Sequence, residues 1–142
     1  MSAEKRQVAV KLTHLNPPGL HQPVDDMYTH VVRAEGWVHY RIGGQVAVDA
    51  NGQNLAVGDM AGQLRACYEF LTLALDAAGL TWANVTHLYT FTTAMDAYMA
   101  CEKDIARPYF GEHPPASTLV EVSRLVDPEW LVEVQADAVA DH

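Results

Sequence analysis

Basic residues are scarce in this chain. Nine Lys and Arg stand against eighteen Asp and Glu, a net charge of −9 over 142 residues. Nucleic-acid phosphates are held by clustered Lys and Arg, and the few here are scattered, which argues against a nucleic-acid partner. Cysteine is scarcer still. Cys67 and Cys101 stand alone, with no metal or redox spacing. Both fall in helical patterns and read as reduced core or near-core residues of a cytoplasmic protein. No apolar run follows the charged first residues, Met1 to Gln7, so neither a secretory leader nor a membrane span is expected. The seven histidines never take the paired spacing of a zinc motif, and no glycine-rich phosphate loop or dinucleotide fingerprint occurs. No metal or cofactor is therefore expected. Solenoid-length repeats and low-complexity segments are lacking too. A hydrophobic fraction of 49% and a charged fraction of 19% leave one ordinary globular domain, 1–142, with length enough for its own core.

The local patterns give the order β, β-hairpin, β, α, β, α, β, β. Gln7 to Leu12 alternates apolar and polar residues, as a short strand does. Leu15 to Asp26 holds three prolines, a glycine and His21, and reads as an ordered loop, long enough to suggest a functional one. Met27–Ala34 and Trp37–Ile42 read as strands joined in a tight hairpin at Glu35-Gly36. Gly43-Gly44 predicts a bulge or a close approach by a ligand or another backbone, with the strand resuming at Val46–Val48. Asp59 to Ala78 is the clearest helix. Asp59 suits the N-cap, Leu64, Cys67, Tyr68, Leu71 and Leu75 form one apolar stripe, and Gly79 supplies the stop. A helix with a single stripe needs a sheet to lie on. Val85–Thr93 is rich in β-branched and aromatic residues and reads as a strand. Asp96 can cap a second helix that Pro108 ends. Two alternating runs follow the Pro114-Pro115 pair, one through Leu119–Val122 and one through Leu131–Val139, with a loop at Ser123–Pro128. The pattern suits an α+β sandwich, a mixed sheet with two helices on one face.

The same C-terminal residues carry a family resemblance. Phe110-x-x-x-x-Pro115-Ala116-x-x-x-Val120-Glu121-Val122, then Val132-Glu133-Val134-x-Ala136-x-Ala138, resembles the signature of the YjgF/Rid family of reactive-intermediate deaminases, also called endoribonuclease L-PSP-like. Upstream, Tyr28-Thr29-His30-Val31-Val32 and Gly43-Gly44-Gln45-Val46-Ala47 are similar to further family motifs, so the likeness spans roughly residues 28 to 140. The resemblance implies a chorismate-mutase-like fold in which three subunits close their sheets around a central barrel, with active sites in clefts between neighbours. Some members have been called ribonucleases, an activity to which the negative charge here lends no support.

The resemblance also points to site residues. Deaminating members hold the substrate carboxylate with an arginine where this chain has Ser117. They orient the attacking water with a glutamate where this chain has Gln135. Glutamine can hold a water through its carbonyl oxygen but cannot take its proton. Tyr28 matches a tyrosine that packs on substrate, Gly44 a glycine that approaches the ligand, and Asp96 lies near a family asparagine. Ser117 and Thr118 could serve as nucleophiles only with a base at hand. His113 lies close to them in sequence, and His30 and His87 sit in strand patterns. His21, Arg33 and Arg107 are alternative anchors. Glu121 and Glu133 follow simple strand alternation and read as solvated-face or barrel-lining residues. The expected function is a divergent imine or enamine hydrolase acting on a small metabolite. The alternative is a non-catalytic small-molecule-binding or regulatory trimer.

Overall fold

The structure is a computed structural model that describes residues 11–141. The expected strand at Gln7–Leu12 falls largely outside them. The described strand β1 runs Lys11–Leu15. It pairs antiparallel with β2, Val31–Glu35, as a two-stranded ribbon. The main sheet has the order β3-β6-β4-β5. Its strands are β3 (Val38–Gln45), β4 (Val85–Thr92), β5 (Ala116–Glu121) and β6 (Val132–Ala140). β6 runs antiparallel to both β3 and β4, and β5 lies parallel to β4. A parallel neighbour needs a crossover, and the helix α2, Met95–Phe110, provides it. The helix α1, Met60–Ala77, packs on β6 and β3 and against α2. Two helices on one face of a mixed sheet are the expected α+β architecture. Among the described residues no helix is long and apolar enough to cross a membrane.

Burial explains the arrangement. Along β6, Val132, Val134, Ala136 and Ala138 are buried, while Glu133, Gln135 and Asp137 between them are only half-buried. The first set packs with Leu64, Cys67, Leu71 and Leu75 of α1 and Leu88 of β4 in one core. At about 25 cal/mol per Å² of apolar surface, this face fixes how helix and sheet meet. The Asp59 side chain accepts from the Gly62 N–H at 3.1 Å, and Gly79 takes a left-handed φ of +75° beyond the last turn, both as the sequence implies. Buried Gln63 is fully used. Its amide donates to the Glu129 carbonyl at 2.9 Å and its oxygen accepts from the Leu131 N–H at 2.8 Å, tying α1 to the start of β6. Cys67 is buried, and desolvation pushes its thiol up to about 12, so it stays protonated and inert.

Several local expectations are corrected. There is no hairpin at Glu35-Gly36, because β2 pairs with β1 and β3 pairs with β6. The chain between them runs hard against the end of β6. The Trp37 N–H donates to the Ala140 carbonyl at 3.1 Å. A Cβ on Gly36 would lie 2.8 Å from that same oxygen, so this glycine serves a close approach and not a tight turn. Met27–His30 belongs to the preceding loop, so the strand expected from Met27 begins only at Val31. The Gly43-Gly44 bulge is real. The register slips by one residue between Ile42, opposite Ala136, and Gln45, opposite Val134. The strand nonetheless ends at Gln45, and Val48 retains only an isolated bridge to Asn54. Asp96 is not the cap of α2. Ala94 holds that position without a side-chain bond, and the Met95 N–H is satisfied from another strand by Glu121 Oε1 at 3.1 Å. Pro108 lies inside α2, in its last turn, where the lost bond costs least. The helix ends at Phe110, before Gly111 with φ +60°.

Leu71 is fully buried beneath the sheet. Leu71→Asp should cost about 4 kcal/mol or more, because an unpaired carboxylate replaces core packing. Chemical denaturation would register this as loss of the cooperative folded baseline.

Candidate functional site

A cavity of about 510 Å³ opens on the helix side of the sheet, at the edge strand β5. Three segments wall it. Ser117 and Leu119 come from β5, Met99, Ala100, Glu102, Lys103 and Asp104 from α2, and Val24, Asp25, Met27 and Tyr28 from the loop before β2. The register explains Ser117. It lies opposite Leu88, a core residue, so alternation turns it toward α2, at an edge left open to solvent.

The loop is held from several sides. Asp25 and Asp26 adopt left-handed φ values of 52° and 55°, which Asp tolerates better than most residues but which still cost energy. The Arg107 guanidinium donates to the Asp25 carbonyl, and Lys103 Nζ lies 3.3 Å from the Asp25 carboxylate. The Thr29 N–H donates to the Pro115 carbonyl at 3.1 Å and its hydroxyl to the Pro114 carbonyl at 2.6 Å. Tyr28 Oη lies 2.5 Å from His21 Nε2, and His30 Nε2 lies 2.7 Å from the His21 carbonyl. The loop is thus an ordered wall that presents Tyr28 to Ser117. Of the alternative anchors, His21 is engaged with Tyr28 and Arg107 with Asp25. Arg33 is paired with Glu35 at 3.1 Å and does not line the cavity.

The structure does not gather all the expected site residues. Thr118 faces the other side of the sheet, with its hydroxyl 3.0 Å from His87 Nε2. Burial lowers the pKa of His87, so the ring is neutral near pH 7 and able to accept a proton. The carboxylate that would complete a triad, Asp137, instead accepts from Tyr89 Oη at 3.3 Å and pairs with Arg41 at 2.8 Å. Gln135 lies on this open face too, opposite Tyr89. Gly44 is exposed and carries the Glu133 side chain against it, since a Cβ there would lie 2.0 Å from Glu133 Oε1. Asp96 is exposed in the first turn of α2 and outside the cavity lining. His113 stacks on His14, ring centroids 5.1 Å apart, and lines a neighbouring cavity with Arg107 and Tyr28. The His14 pKa is lowered by burial first and by His113 second. Tyr28 and Ser117 are therefore the expected site residues that share one cavity, and the sheet separates them from Thr118, Gln135 and Gly44.

Glu102 was not visible as a site residue from the motifs. It follows Tyr98 by one helical turn, on the stripe that also buries Ile105 and Ala106. It accepts from Tyr98 Oη at 3.0 Å. Burial raises its carboxyl above the usual glutamate range, and the Tyr98 hydrogen bond offsets only part of that. The available signal was a carboxylate at a helical position where the stripe calls for an apolar side chain. A half-buried acid of raised pKa in a cavity is a recurrent mark of a functional group.

Comparison with known proteins bears on what this arrangement is. Residues 20–140 match the Endoribonuclease L-PSP family. A RutC family protein of Pyrococcus horikoshii is 31% identical over 111 residues, 78% of this chain and 85% of that protein. The crystal structure of the Rid family protein YyfB from Yersinia pestis, described as of unknown function, superposes with a TM-score of 0.83 at 29% identity, over 90% of this chain and 98% of that one. The YjgF protein of E. coli superposes with a TM-score of 0.62 at 28% identity, over 71% and 80% of the two chains. Sequence motifs, sheet order and these matches agree, and the chain belongs to the YjgF/Rid family described as Endoribonuclease L-PSP.

Proposed function

We propose that this chain takes a small unsaturated nitrogen compound, an imine or enamine, into the Tyr28–Ser117 cavity and hydrolyses it. The observation that carries the reading is Glu102, a carboxylate kept half-buried and short of counter-charge in a cavity shared with a tyrosine and a serine. In the reaction water adds to the C=N carbon, forming a C–O bond, while the π electrons and a proton pass to nitrogen. Collapse of the carbinolamine then breaks the C–N bond and gives a carbonyl compound and ammonia. Glu102 fits the task of taking the proton from water and returning it to nitrogen. Ser117 and Tyr28 would hold and orient the substrate.

Gln135 enters this reading only through assembly. Within its own chain it faces away from the cavity, so it reaches a ligand only if a neighbouring copy lays its open face against the opening. The trimer that the resemblance implies would supply that contact. Trp37, 89% exposed in the single chain, is a large apolar side chain that such an assembly could cover. A second reading, binding without chemistry, is favoured by Ser117 and Gln135, which stand where the resemblance implies an arginine and a glutamate.

Imines generated in solution should be hydrolysed by the full chain, measured as carbonyl and ammonia release. Glu102→Gln should lower the rate by about 100-fold or more, the usual scale of acid–base catalysis. Ser117→Trp, which fills the cavity from an exposed strand position, should abolish turnover without unfolding. Full activity with the cavity filled would overturn the proposal, and binding without turnover would leave the second reading.

Sedimentation should find three copies, and Gln135→Ala should slow turnover. A fully active single copy would remove Gln135 from the site.

Stability should carry a further mark of Glu102. Its folded pKa lies above the unfolded one, so between the two values the folded chain binds more protons. Stability therefore falls as pH rises through that window, and the full penalty persists above it. Glu102→Gln should raise the thermal midpoint relative to the parent at pH 7, with the difference vanishing below the ordinary glutamate range. An equal difference at all pH values would count against a burial penalty.

A further inference from the structure

The geometry points to a ligand class for this cavity: a compound with an apolar body and a positive charge on nitrogen, an ammonium or iminium, with no carboxylate, held by Glu102. This rests on the reading of the Tyr28–Ser117 cavity as the functional site and adds which charge it selects. Asp25, Glu102 and Asp104 supply three carboxylates, while Lys103 supplies one ammonium. That ammonium already lies 3.3 Å from Asp25 at the rim. The remaining walls include Met27, Met99 and Leu119, which give an organic ligand an apolar surface. A carboxylate ligand would enter a site of net negative charge without a free cation on its walls, whereas an ammonium would find uncompensated acid.

Glu102 is the acid with most to gain. Groups facing it are Tyr98 of its own helix, Tyr68 of α1, its neighbours Cys101 and Lys103, and Asp25 across the cavity. Of these only Tyr98 acts with burial on its titration, and no cation offsets the desolvation. A ligand cation would supply that missing counter-charge. It would stabilise the ionised form of Glu102 and offset the burial that raises its pKa. Ser117, small and uncharged at the opposite wall, leaves the selection to Glu102.

The test compares 2-phenylethylamine with phenylalanine, which share a skeleton and differ by the carboxylate, and with uncharged 2-phenylethanol. Calorimetric titration of the full chain gives the three affinities. The amine should bind at least about tenfold tighter than phenylalanine, and weaken by a similar factor in Glu102→Gln. Gln can still accept from Tyr98, so that variant should keep its fold, and its thermal midpoint checks this. Ser117→Arg, at an exposed position, offers a second readout. It places a cation opposite Glu102 and should weaken the amine while improving phenylalanine. Equal or tighter binding of phenylalanine, an affinity for the amine unchanged by Glu102→Gln, or no amine binding at millimolar concentration would each overturn the proposal. Phenylalanine binding that disappears in Arg107→Ala would overturn it by naming a different anchor. Glu102-dependent amine binding without any turnover of imines would support the charge rule while refuting the hydrolase reading. Turnover confined to carboxylate-bearing imines would do the opposite.

Discussion

The alternation of β6 is the constraint on which the rest of the structure depends. Its place between β3 and β4 commits both edges of the strand to hydrogen bonds. Only its two faces remain free to differ. Val132, Val134, Ala136 and Ala138 go down onto α1, and a one-residue slip would send Glu133, Gln135 and Asp137 into that core instead. The cost of burying three polar side chains without partners fixes the register more firmly than any single contact. The Gly43-Gly44 bulge adjusts β3 to this register without moving β6. Gly44 lies against Glu133 because the bulged strand yields at the one residue type that can approach so closely.

The cavity follows from the same register at one remove. β5 lies parallel to β4, so α2 must cross over the helix face to join them, and it comes down beside the β5 edge. The wall opposite is loop, which has no ladder to hold it. Its hydrogen bonds come instead from long-range partners: Arg107 of α2 to the Asp25 carbonyl, and Thr29 to the carbonyls of Pro114 and Pro115. Proline carries no N–H, so these carbonyls are the polar groups the pair can offer. The strained backbone at Asp25 and Asp26 persists where such ties surround it. The order of this loop is therefore as much a product of tertiary structure as the sheet is.

What the sequence made legible was whatever local chemistry decides. The cap at Asp59, the stripe of α1 and the stop at Gly79 are all set within one helix, and the structure has them. The alternation of β4 and β6 is equally local. The apparent hairpin at Glu35-Gly36 was not, because Gly36 answers to the Ala140 carbonyl, more than a hundred residues away. Asp96 suits a cap by its local sequence, yet Glu121 satisfies that helix end from β5. The site shows the same divide. Tyr28 and Ser117 were legible through a resemblance and do share a cavity. The separation of Ser117 from Thr118 and Gln135 depends on which face of the sheet each side chain takes, and that becomes definite only once the strand order is known. Glu102 is not legible in the same way, because a glutamate in a helix ordinarily marks the solvated side, and the packing of α2 half-buries this one.

That carboxylate works against the fold that holds it. Families preserve a fold more readily than a substrate, since the sheet and its helices are fixed by burial while a cavity wall can change one side chain at a time. Here the walls are not neutral with respect to charge. A serine on β5 removes nothing from the core, being exposed, whereas a glutamate on the buried stripe of α2 works against stability for as long as it is ionised. Glutamine or methionine would fit the same turn with less penalty. The proposed role toward a ligand cation would account for that cost. On the open face of the sheet, Asp137 is paired with Arg41 and accepts from Tyr89. No cation acts in the same way on Glu102, which lines the cavity on the helix side of the sheet.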